Sequence, residues 1–296
     1  MNTKLGLQGL LFCVLAGGVS VAALLGIGLP PHQEIIVTGL LIVLLGMPHG
    51  ALDTIYGQRL FAIARPIGWV VFVVFYVAVA AGVVGLWWFA PSAFLIGFLS
   101  LSGAHFADDL PPTVSKLTRV LYGGAVIVLP ALLHGPELER LLGLVSGADS
   151  AAQVMPVLRG LAPLWTVMAT LMLVCEARVR PRSAAEFGAL AALALVASPL
   201  MSFACYFCAM HSPRHLLRTL DSLPEAGRAN TLRFVLWPTL ATFVMLGVVA
   251  WPLRTHAVTP LVMQLVFVSL AALTLPHMLV LAHDRRLKSR GESVSA

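Results

Sequence analysis

The stretch IGWVVFVVFYVAVAAGVVGLWWFA, residues 67–90, contains no charged side chain. About 20 apolar residues wound as an α-helix cross the hydrocarbon core of a bilayer, and a run of this kind belongs in lipid. Comparable runs recur at about 5–29, 34–47, 92–107, 117–133, 161–175, 187–210, 232–253 and 260–282. The chain as a whole has 296 residues, 59% of them apolar and 11% charged, with a mean hydropathy of +0.91. A soluble domain carries about 25% charge. The expected fold is all-α: a polytopic transmembrane bundle of about 8–10 helices forming one domain over residues 1–296. Runs too short to span must be tilted or broken, and Pro48, Pro199 and Pro213 mark the breaks.

Composition excludes a secreted disulfide scaffold, a cytosolic Rossmann or barrel enzyme and a disordered chain. The net charge is +6. Lys and Arg lie between the apolar runs and in a tail of Arg285, Arg286, Lys288 and Arg290, with no basic stripe among aromatics, so nucleic acid is not an expected partner. The first run, 5–29, exceeds the ~7–15 residues of a signal-peptide core and is expected to be a retained first span. The basic tail, about 284–296, places the C-terminus on the cytoplasmic side of the cell (inner) membrane, and Arg214, Arg218, Arg228 and Arg233 fit that side. Arg178, Arg180 and Arg182 fit the rule only if 183–220 forms two helices broken at Ser198 and Pro199. Segments 50–66 and 134–159 are expected to be connections. The cysteines Cys13, Cys175, Cys205 and Cys208 all lie in or beside apolar runs, and Cys205 and Cys208 are expected to pack as small apolar side chains.

Function is carried by the histidines. Of nine, His49, His105, His211, His215 and His277 fall inside or at the ends of apolar runs, where ionisable groups are costly and usually functional. MPHGALD pairs His49 with Asp53, GAHFADD pairs His105 with Asp109, and HSPRH pairs His211 with His215, each at i, i+4. In a helix that spacing shares one face. HSPRH would therefore turn two imidazoles to one point, with His49 and His105 completing a set suited to ferrous iron, zinc or copper. Asp53, Asp108 and Asp109 are placed to accept the ring N–H groups that ligating histidines donate. An all-histidine octahedral iron would keep two positions open for dioxygen and a substrate or water. His277, in LPHM, is expected among the groups that surround the ligands, with a fifth ligand or a helix-end residue as the alternatives. His32, His134, His256 and His283 read as interfacial residues, and Arg214 as a cytoplasmic anchor. Tyr56, Phe106, Tyr206 and Phe207 flank the histidines and could line a tunnel for a flat conjugated substrate, or simply pack.

Other chemistries lack their parts. An opsin needs an intramembrane lysine, and Lys4, Lys116 and Lys288 all lie outside the apolar runs. A di-iron desaturase needs several histidine boxes, whereas one HxxxH is present. A two-ligand haem site needs fewer histidines than cluster here. HExxH, GxSxG and a P-loop are absent.

The succession PHGALD, GAHFADD, HSPRH and LPHM, spread from about Leu40 to His283, resembles the Brp/Blh family of β-carotene 15,15′-dioxygenases. The resemblance implies an iron(II)-dependent integral membrane oxygenase that splits the central double bond of β-carotene with O2 into two molecules of all-trans-retinal, often supplying a rhodopsin. It also implies that His49, His105, His211 and His215 are the catalytic iron ligands, and that the metal is Fe(2+) rather than zinc. It fixes no role for His277. Two other readings remain open: a non-catalytic carotenoid- or retinal-binding partner of a rhodopsin with a structural metal, and a transporter whose histidines relay protons without stoichiometric metal.

Overall fold

The computed structural model describes residues 3–60, 66–223 and 257–294, with scattered helical positions between 236 and 251. Its helices are α1 (Thr3–Leu24), α2 (Pro31–Leu41), α3 (Asp53–Leu60), α4 (Pro66–Phe89), α5 (Pro91–Phe106), α6 (Lys116–Val128), α7 (Pro130–Leu133), α8 (Gly135–Ser146), α9 (Ala148–Val179), α10 (Pro181–Val196), α11 (Pro199–Tyr206), α12 (Ser212–Asp221) and α13 (Val258–Val294). No strand occurs among the described residues. The bundle is all-α, as the composition requires.

Among the described residues, six helical runs are long and apolar enough to cross a membrane: Thr3–Leu24, Pro31–Gln58, Ile67–Phe89, Lys116–Leu133, Ala148–Val179 and Val258–Leu287. Their outer faces are apolar and exposed, as at Leu7 and Leu10 on α1, Val70 and Val74 on α4, and Leu164 and Val167 on α9. Apolar surface of that extent is stable only against lipid. The protein is a multi-pass membrane protein.

Proline punctuates the bundle. It stands in the first turn of α2, α5, α7, α8, α10, α11 and α12, where its missing N–H has no helical acceptor to forfeit. The expected break inside 183–220 falls between α10 and α11, where Ser198 caps α11 by accepting from the Met201 N–H. Segment 134–159 corrects the sequence reading: it is helical, made of α8 and the start of α9. Leu138, Leu141, Leu142 and Val145 recur there at helical period and pack inward, although the intervening charges make the segment too polar for a span. Gly147, at φ +88°, supplies the sharp reversal between the two helices. The run 232–253 lies almost wholly outside the described residues, and Arg228, Arg233 and His256 lie outside them altogether. The basic tail continues as helix to Val294.

Two irregular turns prepare the site. Ile42–Gly46 and Phe207–His211 are each one π-helical turn, the first leading into the 3-10 turn Met47–Leu52 and the second into α12. Such widened turns release carbonyls from the helical ladder and recur at functional sites. Here the two pack against each other. The Ser212 hydroxyl donates to the Leu45 carbonyl at 2.9 Å and the Cys208 thiol to the Leu41 carbonyl at 3.4 Å. Gly46 allows this approach, because a Cβ there would run into the Phe207 ring.

Candidate metal centre

Four helical segments bring imidazoles together. His105 ends α5, His211 closes the second π turn, His215 follows one turn into α12, and His277 sits in α13 directly after Pro276. Their rings form an arc. Centroids are 4.6 Å apart for His105 and His211, 5.1 Å for His105 and His277, and 4.9 Å for His215 and His277, each pair nearly perpendicular at 76° to 79°. Two imidazoles bound to one ion at about 2.1 Å, with roughly 90° to 110° between them, also hold their centroids about 4.6 to 5.3 Å apart. The donor chemistry and the ring spacing thus fit a metal. Among the described residues no group of three or more His, Cys, Asp or Glu side chains is already closed enough to grip an ion. The His49 side chain lies outside the described residues, so the described rings make an open arc.

Each half of the arc is held from behind by a buried carboxylate. Asp109 faces His211 Nδ1 at 3.1 Å and accepts from the Tyr206 hydroxyl at 2.5 Å. Asp53 faces His277 Nδ1 at 2.6 Å and accepts from the Tyr76 hydroxyl at 2.8 Å. The centre therefore contains two Tyr–Asp–His relays, supplied by α11, the turn after α5 and the second π turn on one side, and by α4, α3 and α13 on the other. Burial pushes the Asp109 carboxyl up, but His211, Tyr206 and Arg218 outweigh it and hold its pKa below the usual carboxylate range. An ionised Asp at Nδ1 fixes the imidazole tautomer with Nε2 as the lone-pair nitrogen. The Nε2 atoms of all four rings are buried.

Substituting Asp109 or Asp53 by Asn should weaken metal retention by about 10- to 100-fold with little change in fold, measurable by competition with a chelator.

Several expected residues sit elsewhere. Asp108 is one residue from Asp109 but turns outward, pairing with Arg119 and, at 2.7 Å, with Arg285. Arg214 is no surface anchor: it is 4% exposed, grips Glu186 with two hydrogen bonds of 2.7 and 2.9 Å, and donates to Gln8 at 3.0 Å. Arg214 and Arg218 also donate to the Asp109 carbonyl, at 3.2 and 2.6 Å, so two guanidinium groups clamp the end of α5. Tyr206 acts through Asp109. Tyr56 bonds the Thr219 hydroxyl at 3.0 Å, its ring 6.4 Å from that of His215. Cys205 and Cys208 pack on the apolar core and are not joined.

Phe207 stacks on His211, with centroids 5.4 Å apart at 17°, and Phe106 meets His211 edge-on at 4.9 Å. Gly46→Val should drive Phe207 off that ring and lower metal occupancy several-fold, read by elemental analysis of the purified protein.

Phe106 also ends a cleft. Beyond it, about 690 Å³ of empty space, open at one side, is lined by Phe98, Phe203, Phe267, Leu141, Val145 and other apolar side chains, with Ser102 the one hydroxyl. The rings form a track from the cleft to the histidines: Phe98 to Phe267 at 6.4 Å, Phe267 to Phe203 at 5.3 Å, and Phe203 to Phe106 at 6.3 Å. The arrangement places the imidazole arc beyond one end of a slot that is apolar except for the Ser102 hydroxyl.

Comparison with known sequences decides the family. The family model described as Beta-carotene 15,15'-dioxygenase matches residues 40–283, spanning all three histidine motifs and His277. The chain belongs to this family. Among curated relatives of this dioxygenase family, the Beta-carotene 15,15'-dioxygenase of an uncultured marine bacterium is 27% identical over 84% of this chain and 94% of its own. The Probable beta-carotene 15,15'-dioxygenase Blh of Halobacterium salinarum is 29% identical over 91% of this chain and 90% of its own. No solved structure matches significantly.

The sequence reading missed Tyr76, Gln8 and Glu186. Each leaves a signal: Tyr76 is the only hydroxyl-bearing residue in the run 67–90, and Gln8 and Glu186 are lone polar groups in or beside apolar runs.

Proposed function

We propose that this protein is an iron(II)-dependent membrane oxygenase that cleaves the central 15,15′ double bond of β-carotene with O2 to give two all-trans-retinal molecules. The observation that supports it most is the imidazole arc, backed by the buried carboxyl groups of Asp53 and Asp109, at the end of an apolar slot. The proposed ligands are His49, His105, His211 and His215, joined by His277, whose ring touches those of both His105 and His215. Iron(II) there would supply the redox chemistry that lets dioxygen react with a closed-shell alkene.

The chain's own groups do the rest. Asp53 and Asp109 orient the rings, Tyr76 and Tyr206 fix those carboxylates, and Arg214 with Arg218 clamps the end of α5 that carries His105. The slot accepts a hydrocarbon without polar groups to desolvate. With nothing polar on the polyene to mark one bond, its depth of insertion sets the bond presented, which is catalysis by orientation. The reaction balances without proton transfer: one alkene and one dioxygen become two aldehydes. Retinal released into lipid would be available to a rhodopsin.

The polar end of the bundle carries Arg119, Arg218 and Arg285 around Asp108 and the end of α5. By the positive-inside rule this end is cytoplasmic, in the cell membrane, and the C-terminus lies with it. His277 is then roughly 12 Å inside that boundary, counting 1.5 Å per residue along α13 from Arg285.

Expression in cells that accumulate β-carotene tests the reading. Retinal as the sole cleavage product, lost on iron chelation of the membranes, is the expected result. Unaltered β-carotene alongside membrane-inserted, iron-loaded protein would overturn it and favour a binding partner without turnover.

A further inference from the structure

A second cavity lies against the slot. It is a groove between α5, α6 and α9, about 1090 Å³ of empty space counting its open side. Ile96, Val120, Val157 and Leu161 line it and are all exposed on the outside of the bundle. Two of its three walls are helices long and apolar enough to span, so it opens within the hydrocarbon zone. Small residues, Gly103, Ala104 and Gly124, keep it open next to His105. Gly124 is held small by its surroundings, because a Cβ there would run into Trp165. Leu99, Ile127 and Leu158 line both the groove and the inner slot. These three aliphatic side chains thus stand between the two spaces.

We propose that this groove is the lateral port through which a long apolar polyene passes from the bilayer to the slot, with Leu99, Ile127 and Leu158 as the partition that it displaces. The proposal rests on the reading of the slot as a carotenoid site. The occupant follows from the chemistry. A hydrocarbon substrate dissolved in lipid gains nothing by entering through water, the groove opens to lipid, and its inner wall is shared with the apolar slot that reaches the His211 ring through Phe106. The polar end of the bundle, with its Asp108, Arg119 and Arg285 cluster, offers no such entrance.

Ala104 is exposed in the groove and makes none of the site's hydrogen bonds, so Ala104→Phe plugs the port without a clash in the core. Ile127→Trp stiffens the partition. Purified iron-loaded protein is mixed without oxygen with vesicles carrying β-carotene, and the carotenoid acquired by the protein is followed with time before oxygen is admitted and retinal measured. Ala104→Phe is expected to slow loading about tenfold while leaving the retinal formed per loaded β-carotene unchanged, and Ile127→Trp is expected to slow loading as well. Loading of Ala104→Phe at the wild-type rate would overturn the port, and would mean that the groove holds only lipid chains. A wild type that loads β-carotene but forms no retinal would overturn the proposed reaction, while the ratio of loading rates would still decide the port.

Discussion

His105→Ala abolishes retinal formation, by about 1,000-fold or more, and removes the metal with it; this is the largest effect expected of any single substitution. His105 is the ring that joins the two halves of the arc, in contact with His211 at 4.6 Å and His277 at 5.1 Å. Its loss leaves the Asp109–His211 half and the Asp53–His277 half without a shared neighbour. Because His105 closes the last turn of α5, whose end is clamped by Arg214 and Arg218 through backbone carbonyls, the truncated variant should keep its helix and its place in the membrane. Iron content and retinal yield, measured on the same membranes, should fall together. Retention of iron with loss of activity would move His105 from ligand to substrate contact.

The second large effect concerns stability. Arg214→Leu removes a guanidinium that is 4% exposed and leaves the half-buried Glu186 carboxylate with its two hydrogen bonds gone, together with those to Gln8 and the Asp109 carbonyl. Breaking a buried ion pair from one side costs about 3 to 5 kcal/mol, whereas replacing both partners by apolar groups is far milder. Thermal unfolding in detergent should therefore show a large drop for Arg214→Leu and substantial recovery in Arg214→Leu/Glu186→Leu. The double variant should still lose activity, since the clamp on the end of α5 is gone in both. Equal unfolding temperatures for the two variants would show that the pair contributes by packing rather than by charge.

The sequence exposes the bundle because lipid imposes length and apolarity on each span, and the run 67–90 could belong to nothing else. It hides α8 and the start of α9, whose charges outweigh a helical period that is nonetheless present at Leu138, Leu141, Leu142 and Val145. The histidines announce themselves by the cost of placing them in apolar runs. What they approach is set by tertiary contact. Asp108 and Asp109 are equivalent in sequence, yet a single turn of 3-10 helix sends one to Arg119 and Arg285 and the other to His211. Arg214 looks like an anchor until Glu186, 28 residues earlier, and Gln8, 206 residues earlier, are folded against it. His277 has no motif partner nearby, and only the approach of α3 and α4 gives it Asp53 and Tyr76.

If these imidazoles hold one iron at which β-carotene is cleaved, X-ray absorption at the iron edge on protein loaded without oxygen, followed by a single turnover with β-carotene and O2, should show it. One iron per chain, surrounded by imidazole nitrogens at about 2.1 Å, and two retinal molecules per β-carotene consumed are expected. Iron bound mainly by carboxylate or sulfur, or retinal formed equally well by metal-free protein, would contradict it.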